Sequence, residues 1–162
     1  FQAVLGLNAI ETGLLLTPGP IATMILAPVA GRLVERVNAG VLCSIGLGLF
    51  AAGLIALALL PVHPAYLDIS WRMALCGAGF GLFQSPNNHT IVSAAPRQRS
   101  GGASGMLGTA RLVGQTTGAA LVALVFNQFT THGTHICLLV AGVLAAIAAG
   151  ISLLRTGQLS HH

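Results

Sequence analysis

The chain has 162 residues, of which 54% are hydrophobic and only 6% are charged. A soluble domain carries about 25% charged residues, so this composition excludes a water-facing globular surface and indicates a protein that lies in lipid. The formal charge of +4 comes from arginine, without any lysine. Such an excess is typical of cytoplasmic loops and does not indicate nucleic-acid binding. Cys43, Cys76 and Cys137 lie singly in apolar segments, so neither a metal nor a cofactor is expected.

Five apolar segments alternate with short polar loops, and each can cross a bilayer core of about 30 Å. They cover residues 12–31, 39–60, 71–92, 102–127 and 135–154. Residues 1–11 are predicted to form a loop. Because proline inside a membrane helix leaves backbone carbonyls without partners, we expect a kink at Pro18 and Pro20. The pattern predicts an all-α membrane protein with a single transmembrane domain.

The placement of arginine predicts the orientation of the segments in the membrane. One set of loops and the C-terminal tail carry five arginines, which are Arg32, Arg36, Arg97, Arg99 and Arg155. The opposite loops carry Glu11, His63, Asp68 and His132, with Arg72 as the lone arginine near that side. We therefore predict that the N-terminal end lies outside the cell and that the C-terminus is cytoplasmic.

Polar side chains at membrane depth are confined to the third and fourth segments. Gln84, Asn87 and Asn88 share one helix face at i, i+3 and i+4, and Arg111 and Gln115 share another. A cation in mid-membrane costs roughly 2.5–3.5 kcal/mol, so we predict that all five residues line a polar cavity. The amides could instead hydrogen-bond between helices in a purely structural role.

The membrane depth of Gln84 and Arg111 gives a second prediction. Gln84 and Arg111 are predicted to lie at one level, within reach of a hydrogen bond. Since no acid lies at that depth, the charge of Arg111 would be met by water, helix carbonyls, a carboxylate elsewhere or a substrate.

The second and fifth segments carry almost no polar groups, so they are predicted to be outer supports that face lipid.

Three stretches of the sequence resemble a known family. In RLVERVN and the glycine before it, Gly31, Glu35 and Arg36 match the G-x-x-x-D-R-x-G-R-R/K loop signature of the major facilitator superfamily. GFGLFQSPNN and SGMLGTARLVGQTTGAALV are similar to the late helices of fourteen-span drug:proton antiporters of the EmrB/QacA type. The resemblance implies two six-helix bundles around a central cavity, with this chain supplying five helices of the C-terminal bundle. It also implies that Glu35 and Arg36 lock the cytoplasmic side.

The leading functional prediction is part of a proton-coupled multidrug efflux transporter in the bacterial inner membrane, working by alternating access. Its expected partners are lipid, protons, small amphipathic compounds including drugs and cationic dyes, and a missing N-terminal portion. The chain begins at Phe1 without methionine, as a fragment would. Two alternatives stay open, which are a metabolite exporter or importer of the same fold and a small structural membrane protein. A membrane enzyme is disfavoured, because Ser85 and His89 have no carboxylate beside them at depth.

Overall fold

The fold was analysed in a computed structural model, which describes residues 8–61, 64–128 and 133–158. The elements, in chain order, are α1 (Ala9–Leu16), α2 (Pro18–Leu33), α3 (Ala39–Ala58), α4 (Tyr66–Ser93), a 3₁₀ turn (Arg97–Arg99), α5 (Ser100–Gln128) and α6 (Gly133–Gln158). The described residues contain helices and no strand, which confirms the predicted all-α class.

The first helix begins earlier than the sequence analysis predicted. The Glu11 N–H donates to Asn8 Oδ1 at 2.8 Å, and the Asn8 N–H donates to Glu11 Oε2 at 3.1 Å. This reciprocal capping box satisfies backbone donors that a helix start leaves open. Residues 8–11 are therefore a helix start, and their prediction as a loop was wrong. His63 and His132 lie outside the described residues.

The helix is interrupted at Thr17, where the prolines were expected to kink it. The structure ends α1 at Leu16 and begins α2 at Pro18, although Thr17 itself keeps helical dihedral angles. The Thr17 N–H still donates to Gly13 O at 3.1 Å. Pro18 and Pro20 have no N–H to donate, so the ladder of backbone hydrogen bonds loses two donors within one turn.

Helix α4 is the central element of the described bundle, with α2 packed on one side and α3 on the other. Against α2, a Cβ at Gly77 would lie 2.0 Å from the carbonyl oxygen of Gly19. The Thr23 hydroxyl bridges the two helices by donating to Gly77 O at 2.9 Å and to Gly19 O at 3.1 Å. Against α3, a Cβ at Gly79 would meet the backbone nitrogen of Phe50 at 2.3 Å. Glycine at these crossings permits direct contact between helix backbones.

Among the helices that the structure describes, α3 has the most buried residues, yet it also exposes Ile45 and Ile55, so its prediction as a lipid-facing support stays a prediction. Nine of its residues are buried, and they are Leu42, Cys43, Ser44, Gly46, Leu47, Ala51, Gly53, Leu57 and Ala58. One side packs on α4, and another packs on α6, where the Ser152 hydroxyl donates to Gly40 O at 3.2 Å. The absence of polar groups could not separate the two environments, because lipid and a packed interior are equally apolar.

Four helical stretches are long and apolar enough to cross a membrane, whereas the sequence predicted five spans. They are Ile10–Leu33, Ala39–Ala58, Ser100–Gln128 and Gly133–Leu153. Helix α4 is not among them despite its 28 residues, since Asp68, Arg72 and the polar run from Gln84 to His89 lower its hydropathy. Helix α5 shows the reverse combination. It is apolar enough to span a membrane, but none of its residues is buried.

Candidate substrate site

Arg111 is an exposed cation close to the middle of α5. It lies eleven residues beyond Ser100, or about 16 Å along a helix of about 43 Å. Only three residues, or about 5 Å, separate it from the central residue of the helix, Gly114. Exposure of a guanidinium at such depth favours water or protein beside it over lipid, where it would cost roughly 2.5–3.5 kcal/mol.

Gln84 of α4 holds the guanidinium of Arg111. The hydrogen-bonding surroundings assign the amide oxygen to the side that faces α5. In that orientation, Gln84 Oε1 accepts from Nη1 and from Nη2 of Arg111, both at 2.8 Å. Gln84 is half-buried. The structure therefore contains the hydrogen bond between these two side chains that the sequence predicted.

Asn88 and Gln115 extend this polar group along the two helices. Asn88 lies one turn beyond Gln84 on α4 and is half-buried, whereas Gln115 lies one turn beyond Arg111 on α5 and is exposed. Residues four apart share a helix face. Both amides thus remain candidates for the surroundings of Arg111, and their participation in a substrate site stays a prediction.

Asn87 lies in a different place from the Gln84–Arg111 pair. It lines a cavity of about 370 Å³ between α3, α4 and α6. The other lining residues are Asn38, Ala39, Gly40, Cys43, Leu47, Phe83, Thr90, Ala148, Ile151 and Ser152. A shared helix face did not predict the neighbours of Asn87 correctly. Gln84 contacts α5, whereas Asn87, three residues along α4, lies toward α3 and α6.

The residues of the loop signature lie at the end of α2. Gly31 is half-buried, and a Cβ there would come within 3.2 Å of Ser85 Oγ on α4. Glu35 and Arg36 are exposed, and they line a cavity of about 440 Å³ together with Val29, Arg32 and Leu33. Their predicted role as a cytoplasmic lock stays a prediction.

A cluster around Arg72, at the opposite end of the bundle, was not singled out from the sequence. Arg72 Nη1 donates to the carbonyl of Ala56, close to the C-terminus of α3, where a cation is favourable. Arg72 Nη2 lies 4.0 Å from Asp68 Oδ1, and Trp71 Nε1 donates to the same oxygen at 3.2 Å. The guanidinium carbon also lies 5.2 Å from the centre of the Trp71 ring. The spacing of four residues between Asp68 and Arg72 could have predicted their ion pair from the sequence.

Comparison with known proteins gives the family. The family model described as Major Facilitator Superfamily matches residues 1–119. The uncharacterized transporter YebQ of Escherichia coli (strain K12) is 65% identical over 157 residues, which are 97% of this chain and 34% of YebQ.

Two more distant relatives have named activities. The multidrug resistance protein Stp of Mycobacterium tuberculosis is 33% identical over 121 residues, 75% of this chain and 22% of Stp. The riboflavin transporter RibZ of Clostridioides difficile is 30% identical over 127 residues, 78% of this chain and 28% of RibZ. The chain thus spans about a third or less of the length of the relatives it matches. By the extent of the family match and its identity to these transporters, the chain belongs to the major facilitator superfamily.

Proposed function

We propose that this chain is the C-terminal portion of a proton-coupled efflux transporter for small amphipathic compounds, working by alternating access in a bacterial inner membrane. Membership of the superfamily supports transport, and the similarity to Stp favours multidrug efflux over other cargo. In this proposal all five long helices cross the membrane, with the N-terminal end outside. Alternating access in such proteins works by rocking of helix bundles around a site near the bilayer midplane.

The observation that carries the proposal is the exposed guanidinium of Arg111 near the middle of α5. A helix with no buried residue would ordinarily be a lipid-facing helix, but a charge at this depth is costly in lipid. The side of α5 that carries Arg111 therefore faces water or other protein. In a transporter whose remaining two thirds lie outside this chain, a water-filled substrate cavity between bundles meets that requirement.

The test replaces Arg111 in the full-length transporter, produced in a drug-hypersensitive host. Arg111→Ala is expected to abolish or strongly reduce resistance while leaving the amount of protein in the membrane unchanged. Arg111→Lys is expected to restore resistance only in part, since lysine lacks the planar set of N–H donors. Arg99→Gln is the matched control, because it removes an equally exposed arginine from the loop. Full resistance in Arg111→Ala would contradict the cavity assignment.

A second candidate function is export or import of a metabolite by the same fold, and the similarity to RibZ favours it. Measurements of drug accumulation and metabolite uptake distinguish the two functions. Efflux driven by a proton gradient predicts that collapse of the gradient raises drug accumulation in cells with the transporter and not in cells without it. Net uptake of a metabolite, without any effect on drug accumulation, would favour the second function.

A further inference from the structure

We infer that the Arg111–Gln84 pair recognises a carboxylate on the transported compound, so that the transporter prefers anionic or zwitterionic amphiphiles to cations. The inference rests on the proposed function and specifies the substrate class of the same site. It also replaces the sequence-based expectation of cationic dyes, because the charge found at this site has the opposite sign from the one that would attract them.

The charge balance of the chain is the first argument. Its only acids are Glu11, Glu35 and Asp68. Glu11 caps the start of α1, Glu35 follows the end of α2, and Asp68 lies in the first turn of α4. Among the described residues, Asp68 forms the one ion pair, with Arg72. The acids of this chain therefore lie at helix ends, away from the middle of α5, and none of them compensates the charge of Arg111.

The second argument is the way in which Gln84 holds the guanidinium. A guanidinium has five N–H donors in a fixed plane. Gln84 Oε1 occupies the edge between Nη1 and Nη2, where it accepts one hydrogen bond from each. Among the residues that the structure describes, no acceptor is seen on the neighbouring edge, which is formed by Nε and the outer N–H of one Nη. That edge has the spacing of the two oxygens of a carboxylate, which binds there through two parallel hydrogen bonds.

The third argument concerns the other atoms around the same point. When the oxygen of Gln84 faces Arg111, its NH₂ group points to the opposite side, where the surroundings are acceptors. Gln115, one turn along α5, is a further exposed amide. Arg111 thus offers N–H donors to an incoming group, and neither Arg111 nor Gln84 offers a negative charge. A carboxylate would be stabilised here by the opposite charge, whereas an ammonium would face a like charge.

The experiment uses the full-length transporter in an efflux-deficient host and a pair of xanthene dyes that differ at one group, a free carboxylate or its methyl ester. Efflux rates of both dyes are measured from preloaded cells with an intact proton gradient. The quantity of interest is the ratio of the carboxylate rate to the ester rate. Wild-type protein is compared with Arg111→Gln, Arg111→Lys and Gln84→Glu, and Arg99→Gln serves as the charge-matched control.

Arg111→Gln is expected to lower the carboxylate-to-ester ratio by roughly 10- to 100-fold, which is the effect of losing charge-assisted hydrogen bonds. Ester efflux should fall much less than carboxylate efflux. Arg111→Lys should give an intermediate ratio. Gln84→Glu should also lower the ratio, because an internal carboxylate would then occupy the guanidinium. Arg99→Gln should leave the ratio unchanged.

Two results would overturn the inference, and they differ in what they say about transport. If Arg111→Gln lowers both dyes equally, or changes neither, the ratio is unaffected and Arg111 does not select substrates by charge. In that case proton-driven efflux by the wild-type protein leaves the proposed function standing. If the wild-type protein exports neither dye and no other drug, the proposed function itself fails, and the inference fails with it.

Discussion

Adding a methyl group at Gly46 is a direct test of the packing of α3 on α4. A Cβ at this position would lie 2.6 Å from Phe83 N, 2.9 Å from Gly79 O and 2.9 Å from Leu82 C. All three atoms belong to the backbone of α4, so no side chain can rotate away. At Gly48, two residues along the same helix, an added methyl group would have no heavy atom of another element within 4 Å. The two glycines form a matched pair.

The size of the effect follows from these distances. Real Cβ atoms essentially never approach other heavy atoms closer than 3.0 Å, so Gly46→Ala must move α3 away from α4 by several tenths of an ångström. Overpacking of this kind typically destabilises a protein by about 1–3 kcal/mol. Gly77→Ala, at 2.0 Å from Gly19 O, should cost more, because it also disturbs the hydrogen bond from Thr23. Gly48→Ala should be neutral or slightly stabilising, since alanine is the better helix former.

The assay is the thermal unfolding midpoint of the purified full-length transporter in detergent. We expect the midpoint to fall in the order Gly48→Ala, Gly46→Ala, Gly77→Ala, with the first variant close to wild type. Protein yield in the membrane gives an independent reading of the same order. Equal midpoints for Gly46→Ala and Gly48→Ala would refute the direct backbone contact between α3 and α4.

Three further predictions use other parts of the chain. With Cys137 replaced, a cysteine at Ala65 should react with an impermeant thiol reagent in intact cells and one at Arg99 should not; the reverse pattern would overturn the proposed orientation. Because the chain's acids lie at helix ends, the coupling carboxylates are expected in the remainder of the transporter, so the 162-residue chain alone should catalyse no proton-coupled uptake into liposomes. Arg72→Met should lower the unfolding free energy by about 1–3 kcal/mol, because the Ala56 carbonyl loses its charged donor; an unchanged midpoint would mean that the cluster adds nothing.

The long helices and the Gln84–Arg111 contact could be predicted because each depends on local features of the sequence. Apolar runs of about twenty residues leave few alternatives to a helix in lipid. Gln84 and Arg111 lie nine and eleven residues from the ends that face the short connection between α4 and α5. Antiparallel helices joined by so short a segment bring residues at such distances to one level. The prediction therefore needed only the helix rise and the loop length.

The sequence could not predict which neighbouring helix each residue contacts, because that depends on how the helices are arranged around one another. Gly46 and Gly48 are alike in sequence, yet one contacts the α4 backbone and the other faces open space. Asn87 shares its helix face with Gln84 at a spacing of three, yet it lines the cavity toward α3 and α6. A helix face covers a wide arc, and only the directions of the neighbouring helices decide how that arc is divided.

Helix α4 shows why hydropathy alone gives an incomplete count of spans in this chain. A helix that touches lipid all round must be apolar all round, and the stretch Gly133–Leu153, which is only 17% buried, has a mean hydropathy of 2.6. A helix packed between others escapes that requirement, since its polar groups can find partners in protein or face a cavity. α4 lies between α2 and α3, and Gln84 meets Arg111 on a further side. Its central place therefore permits its low hydropathy, and the same polar run that removes it from the apolar helices supplies the candidate site.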